Sequence, residues 1–197
     1  DLDNEQRLLE KFPFLKEKYI TIGRGVDKNN DWHDSTRLWS VDKYNRWIKL
    51  FKQKYPSVKV VQLGVSKDRC EKLDVDIDLV GLTTFEELLI ILKRATIHLD
   101  GECGYVHLRH FLTEGKGKSI VIFGPTSNVI RGYPENINIR NDNSCELPLC
   151  EWIAGGSWQS FCLKTKECRA HCVESVSPEF VHQESQKLLD IIFSDVK

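Results

Sequence analysis

Methionine is missing from these 197 residues, and so is any surplus of charge, with 28 Lys and Arg against 29 Asp and Glu for a formal net charge of -1. A balance this even gives no general pull toward nucleic acid or an anionic bilayer, so no nucleic-acid partner is expected. No run of 18 apolar residues occurs, and the polar start DLDNEQRLLEKF has no secretory apolar core. From those two absences neither a helical membrane span nor a signal peptide is expected within this stretch, and the expectation is a soluble chain. Internal repeats, low-complexity tracts and CxxC pairs are also lacking. The missing methionine and the abrupt start together point to a cut from something longer.

What is present is 41% hydrophobic residues and an alternation of two periods. Enough apolar material exists for one α/β domain with its own core, and two would be a squeeze. Lys18 to Ile22 reads as a strand, and Val41 to Tyr55 as a helix with Val41, Tyr44, Trp47, Ile48, Phe51 and Tyr55 on one face. Pro56 ends that helix, and the nearly continuous apolar run Val58 to Leu63 suits a strand covered on both sides. A strand about Ile77 to Leu82 leads to a helix over TTFEELLIILKRA, capped by Thr83 or Thr84 with Glu86 or Glu87 closing a capping box. Thr96 to Leu99, Tyr105 to Leu112, Ser119 to Phe123 and Asn136 to Arg140 continue as strand, helix, strand and one more candidate strand. Ser177 and Pro178 open a last helix over 178–195 as N-cap and first residue. The pattern predicts an α/β domain with a mostly parallel sheet and right-handed crossovers, preceded by a linker or docking helix within 1–17.

In an open parallel sheet, ligands bind outside the carboxyl ends of the strands. The loop after Leu99 carries Asp100, Gly101, Glu102, Cys103 and Gly104, then a helix with His107, Arg109 and His110. Free N–H groups where that helix begins favour a diphosphate, while Asp100 or Glu102 suits sugar or ribose hydroxyls and His107 suits phosphate. Arg24, Gly25 and Arg37 follow the first strand, where a guanidinium can grip phosphate, and Gly124, Pro125 and Thr126 make a tight turn after Phe123. The competing reading is an ordinary glycine turn with His107 as a satisfied structural histidine.

These blocks resemble the C-terminal domain of glycosyltransferase family 9, the ADP-heptose:lipopolysaccharide heptosyltransferases and their relatives. The resemblance runs from about Lys18 to the end. Arg37, Leu38 and Trp39 match a basic residue two before Trp; Gly64 matches a glycine after a strand, and Asp68 the loop acid beyond it. Glu102, Gly104 and His107 match the signature DxGxxH, and Phe123 to Thr126 match FGPT. Glu102 stands where Asp is usual and Arg109 where a small Ala is usual.

The resemblance implies a Rossmann-like three-layer domain, residues 18–197, forming the donor-binding half of a GT-B enzyme whose N-terminal acceptor domain is absent from this stretch. It implies direct transfer from an ADP-linked heptose or similar donor to a lipopolysaccharide or other bacterial glycan. The donor site would use Arg24, Gly25, Arg37, Asp68, Asp100, Glu102, Gly104, His107 and Thr126. The catalytic base would lie in the missing domain, with no catalytic residue in this fragment, and no cofactor or catalytic metal would be needed. Location would be cytoplasmic, at the inner face of the bacterial inner membrane, by peripheral association of the full enzyme. The alternatives are a nucleotide or sugar binding module without a catalytic partner, and a GT-B nucleotide-sugar epimerase.

Seven cysteines, an odd number, argue against a tidy disulfide framework. Cys145, Cys150, Cys162, Cys168 and Cys172 crowd the loop 145–172 with enough thiols for a tetrahedral zinc site, though at irregular spacing. Free thiols or an adventitious disulfide are the plainer expectation there.

Overall fold

The computed structural model describes residues 2–24, 36–66, 70–147, 149–153 and 161–196, with side chains from residue 6 onward. Its centre is a parallel pair, β1 (Tyr19–Gly23) and β4 (Ile97–Gly101), from which the sheet grows outward in both directions. β2 (Lys59–Leu63) and β3 (Ile77–Asp78) extend one side, and β5 (Ser119–Ile122) and β6 (Ile137–Ile139) the other. The order is β3-β2-β1-β4-β5-β6 and every pairing is parallel, a Rossmann-like arrangement. Because the order reverses between β1 and β4, their crossovers leave in opposite directions and open a crevice at the carboxyl ends.

Strand residues alternate between two covered faces, which gives the three layers. Ile20, Ile22, Val60, Ile97 and Leu99 meet α2 (Val41–Lys54) and α8 (Pro178–Ile192), whose Trp47, Phe51, Val181 and Leu189 are wholly buried. Tyr19, Val61 and Leu63 meet the other layer, made of α1 (Leu2–Lys11), α3 (Phe85–Arg94) and α4 (Gly104–Leu112). Each such large apolar side chain contributes about 1.5–3 kcal/mol on leaving water. Leu8, Phe12, Phe14 and Leu15 are buried in that second layer, so the opening segment packs as part of the domain.

Local chemistry decides several boundaries. Thr84 caps α3 and Glu87 returns the bond, the capping box read from the sequence. Ser177 accepts from Phe180 N–H at the start of α8, with Pro178 as its first residue. β3 is shorter than the expected Ile77 to Leu82, because Asp78 Oδ1 accepts from Val80 N–H at 3.0 Å and turns the chain out of the ladder. α8 stops at Ile192 rather than running to 195.

Arg109 is 1% exposed and donates to the carbonyls of Leu92, Ala95, Thr96 and Lys118. Those acceptors include the end of α3, whose last carbonyls lack helical partners. A long cation here stitches α3, α4 and the β4 and β5 entrances together, a structural reason for Arg where the resemblance leads one to expect Ala. Burial lowers its pKa to about 10, so it stays charged at neutral pH.

Candidate functional site

The β1/β4 crevice is closed at its base by a crossing of side chain and backbone. Gly23 ends β1, and a side chain on it would collide with the carboxylate of Asp100. Asp100, 2% exposed, accepts from Gly101 N–H through Oδ1 at 2.8 Å and from the Cys103 thiol through Oδ2 at 3.1 Å. Beneath it His98, wholly buried, shares a 3.0 Å hydrogen bond with Thr21 and points Nε2 at Asp100 from 3.5 Å. Asp100 is thus occupied by the protein itself. Gly101 must also be small, since a Cβ there would lie 2.6 Å from the carbonyl oxygen of Arg37.

Above this base, Glu102 organises two of the expected contacts. It is 4% exposed; Oε2 faces Arg37 Nη1 at 3.4 Å and Oε1 faces His107 Nε2 at 3.3 Å. The other nitrogen of His107 meets the Tyr133 hydroxyl at 2.9 Å. Tyr133 in turn stacks on His110, ring centroids 3.7 Å apart, and His110 bonds Glu135 at 2.5 Å. Arg37, His107 and Glu102 therefore converge, and Tyr133 steadies them from outside the motif. A buried carboxylate of this kind orients cations more than it recognises hydroxyls.

Gly104 begins α4 in open space, with no atom within 4 Å of where a Cβ would stand. Cys103 holds the N-cap position without a side-chain cap, its thiol turned to Asp100. The first-turn N–H groups of a nine-residue helix thus start at the mouth of the crevice, where the positive end of the helix dipole favours an anion. Thr126 is 1% exposed and its hydroxyl has no hydrogen-bond partner, the sort of buried polar atom that calls for a water or ligand.

Arg24 is 2% exposed, donates Nε to the Trp39 carbonyl at 3.2 Å and pairs with Glu71. In the structure it ties the end of β1 to Trp39 and Glu71. Gly25 and Asp68 lie outside the described residues.

Three participants were not singled out from the sequence. Glu151, in α6 (Cys150–Ile153), accepts from Ser127 N–H at 2.7 Å, at the start of α5 (Asn128–Arg131), and from Arg131 Nε at 2.8 Å. That bond first, and then the charges of Glu151 and Glu102, raise the pKa of Arg131. Arg131 and Tyr133 are consequently cationic and aromatic groups beside the same site. Their only signal is nearness to FGPT, since the contacts span 20 residues or more.

Of the five clustered cysteines, Cys145, Cys150, Cys162 and Cys172 line one small cavity, and Cys168 is not among its walls. All seven cysteines are free thiols. Among the described residues no three His, Cys, Asp or Glu side chains already stand at metal-ligand spacing.

No family model matches the sequence, and neither does any curated protein. Solved structures do match by fold. ADP-heptose lps heptosyltransferase II of E. coli superposes with a TM-score of 0.64 at 15% identity, over 96% of this chain and 52% of that one. A glycosyl transferase family 9 structure from Veillonella parvula gives 0.60 at 13% identity, over 93% of this chain and 49% of that one. The dodecameric iron-containing heptosyltransferase TibC, in complex with ADP-D-beta-D-heptose, gives 0.61 at 13%, over 89% and 46%. The chain spans about half the length of these structures. At such identities the likeness is one of fold: this chain is built like half of a GT-B heptosyltransferase. Among the described residues no helix is long and apolar enough to cross a membrane.

Proposed function

We propose that this chain is the donor-nucleotide half of a glycosyltransferase, taking a heptose or similar sugar from an ADP-linked donor for a lipopolysaccharide or related bacterial glycan. The observation that carries the reading is the uncapped start of α4 at the β1/β4 crevice, flanked by Arg37 and His107 on one buried carboxylate, Glu102. The shared fold supports the enzyme class, and the ADP-sugar bound to one of the matching structures supports the choice of nucleotide.

In this reading the diphosphate lies on the amides of the α4 first turn. Arg37 supplies the fixed positive charge, and His107, kept in place by Tyr133, exchanges its bond to Glu102 for one donated to a phosphate oxygen. Thr126 offers its unpartnered hydroxyl. As the acceptor hydroxyl attacks the anomeric carbon, the bond to the diphosphate oxygen breaks and negative charge grows on the leaving group. Preorganised amides and a guanidinium stabilise that charge without rearranging. The base that takes the acceptor proton belongs to the other half of the enzyme, so binding without turnover is expected of this chain.

Calorimetry with ADP, UDP, GDP and CMP tests the proposal. ADP should bind most tightly. Equal affinity for all four nucleotides, or none for any, would remove the donor-site reading.

A further inference from the structure

The chain leaving β5 runs from Thr126, whose buried hydroxyl has no partner, through α5 to Tyr133, whose hydroxyl meets His107. Both ends of this segment border the crevice, and Arg131 stands between them. The segment is braced along its length. Arg131 N–H bonds the Ser127 carbonyl at 3.0 Å, a Cβ on Gly132 would collide with the Asn128 carbonyl, and Asn138 Nδ2 holds the Tyr133 carbonyl at 2.9 Å. Little of it need rearrange when a ligand arrives, which lowers the entropic cost of binding.

An ordinary surface ion pair contributes little, because two long side chains must be fixed against water. The pair made by Arg131 differs. Its partner Glu151 has a side chain only 9% exposed, and one carboxylate oxygen already accepts from Ser127 N–H at 2.7 Å. The other oxygen accepts from Arg131 Nε at 2.8 Å, so a fixed acid holds a guanidinium that is itself 46% exposed. That bond uses Nε alone. Among the described residues the two terminal nitrogens of Arg131 have no hydrogen-bond partner. They belong to a rigid fork of donors that matches phosphate oxygens in pairs. Glu102, the carboxylate shared by Arg37 and His107, lies close enough for its charge to act on Arg131.

We propose that Arg131 is a second phosphate-binding guanidinium of the donor site, alongside Arg37, and that Glu151 is its positioning residue; the role rests on the donor-nucleotide reading and deepens it. A diphosphate spreads its charge over two phosphoryl groups, and a pair of guanidiniums matches that spread better than one does. Arg131 keeps its Nε bond to Glu151 and turns the terminal nitrogens to phosphate oxygens, so no largely buried carboxylate is stranded by binding. As the bond to the anomeric carbon breaks, charge grows on the departing diphosphate, and a guanidinium already held in place stabilises it without reorganising.

The test is calorimetry of the full chain with ADP and with inorganic pyrophosphate, after thermal melts have shown each variant to be folded. Arg131→Gln should weaken both ligands by about tenfold or more, the effect of a hydrogen bond between charged groups. Arg131→Lys keeps the charge and loses the fork, so its affinities should fall between those of wild type and Arg131→Gln. Glu151→Gln should weaken both ligands less, and its effect should vanish in the Arg131→Gln background, because Glu151 acts only through the guanidinium. Wild-type affinity for both ligands in Arg131→Gln, with ADP bound normally by the parent chain, would overturn the proposal and leave the donor site standing. A Glu151→Gln loss that persists undiminished without Arg131 would overturn the positioning role. Equal binding of all four nucleotides, each weakened by Arg131→Gln, would remove the choice of ADP and still support Arg131 as a phosphate contact. A parent chain that binds neither ADP nor pyrophosphate would overturn both.

Discussion

The carboxylate of Asp100 occupies the place that a side chain on Gly23 would need. The two residues sit at the ends of β4 and β1, the strands between which the sheet order reverses, so their contact sets the floor of the crevice. Gly23→Ala should force Asp100 away from the Gly101 amide and the Cys103 thiol. Overpacking of this kind costs about 1–3 kcal/mol. A fall in urea midpoint is expected, with weaker nucleotide binding in the folded protein; an unchanged midpoint would show that Asp100 moves aside freely.

His107→Ala removes a group that Glu102 and Tyr133 both position. A hydrogen bond to a charged phosphate is worth about 1.5–3 kcal/mol, so ADP affinity should fall roughly tenfold or more. Tyr133→Phe, which leaves the ring but removes the hydroxyl 2.9 Å from Nδ1, should give a loss in the same direction and smaller. Calorimetry reads both. A wild-type dissociation constant for His107→Ala would place the diphosphate elsewhere.

Much of the framework was legible because it is local. The faces of α2, the Thr84 capping box and the Ser177–Pro178 start depend on residues within a few positions of one another. The crevice was legible for a related reason, since alternation of strand and helix implies strand order and strand order implies where ligands bind. What escaped was non-local. Nothing near Gly23 announces a carboxylate 77 positions later, nothing near Arg109 announces four carbonyls on other elements, and Tyr133 reaches His107 across 26 positions. The sequence offers Asp100 or Glu102 as an acceptor for sugar or ribose hydroxyls, and it does not show that the fold also gives each of them partners within the protein. A turn motif shows which chemistry is present and leaves open which groups the fold has already satisfied.

Arg109→Met should be costly to folding and neutral to binding. Its removal strands buried carbonyls of Leu92 and Ala95, and each unsatisfied group costs about 1–3 kcal/mol. Denaturant unfolding should show a loss of about 3 kcal/mol or more by the same reckoning. ADP affinity of the surviving folded fraction should match wild type. A variant of unchanged stability would mean that water replaces the guanidinium.

Asp190 on α8 clasps α2, bonding the Tyr55 hydroxyl at 2.7 Å and Lys54 Nζ at 2.9 Å. Lys54 first, and then Tyr55, lower its pKa from 3.8 to about 2, while burial followed by the bond to Asp190 pushes Tyr55 from 10.0 up to about 12. The signs are opposite in pH. A depressed carboxylate stabilises the fold above its unfolded pKa and loses that contribution as pH falls through about 2. A raised phenol contributes fully below 10.0 and loses its share as pH rises through about 12. The clasp should therefore be whole between pH 3.8 and 10.0 and weaken progressively beyond each. Asp190→Asn should flatten the acid limb of the stability profile, and Tyr55→Phe should flatten the alkaline limb, each measured by thermal melts across pH. If both variants keep the wild-type profile, α2 and α8 are held by the packing of Phe51, Leu189 and Phe193 and by the Arg46–Glu179 pair rather than by this clasp.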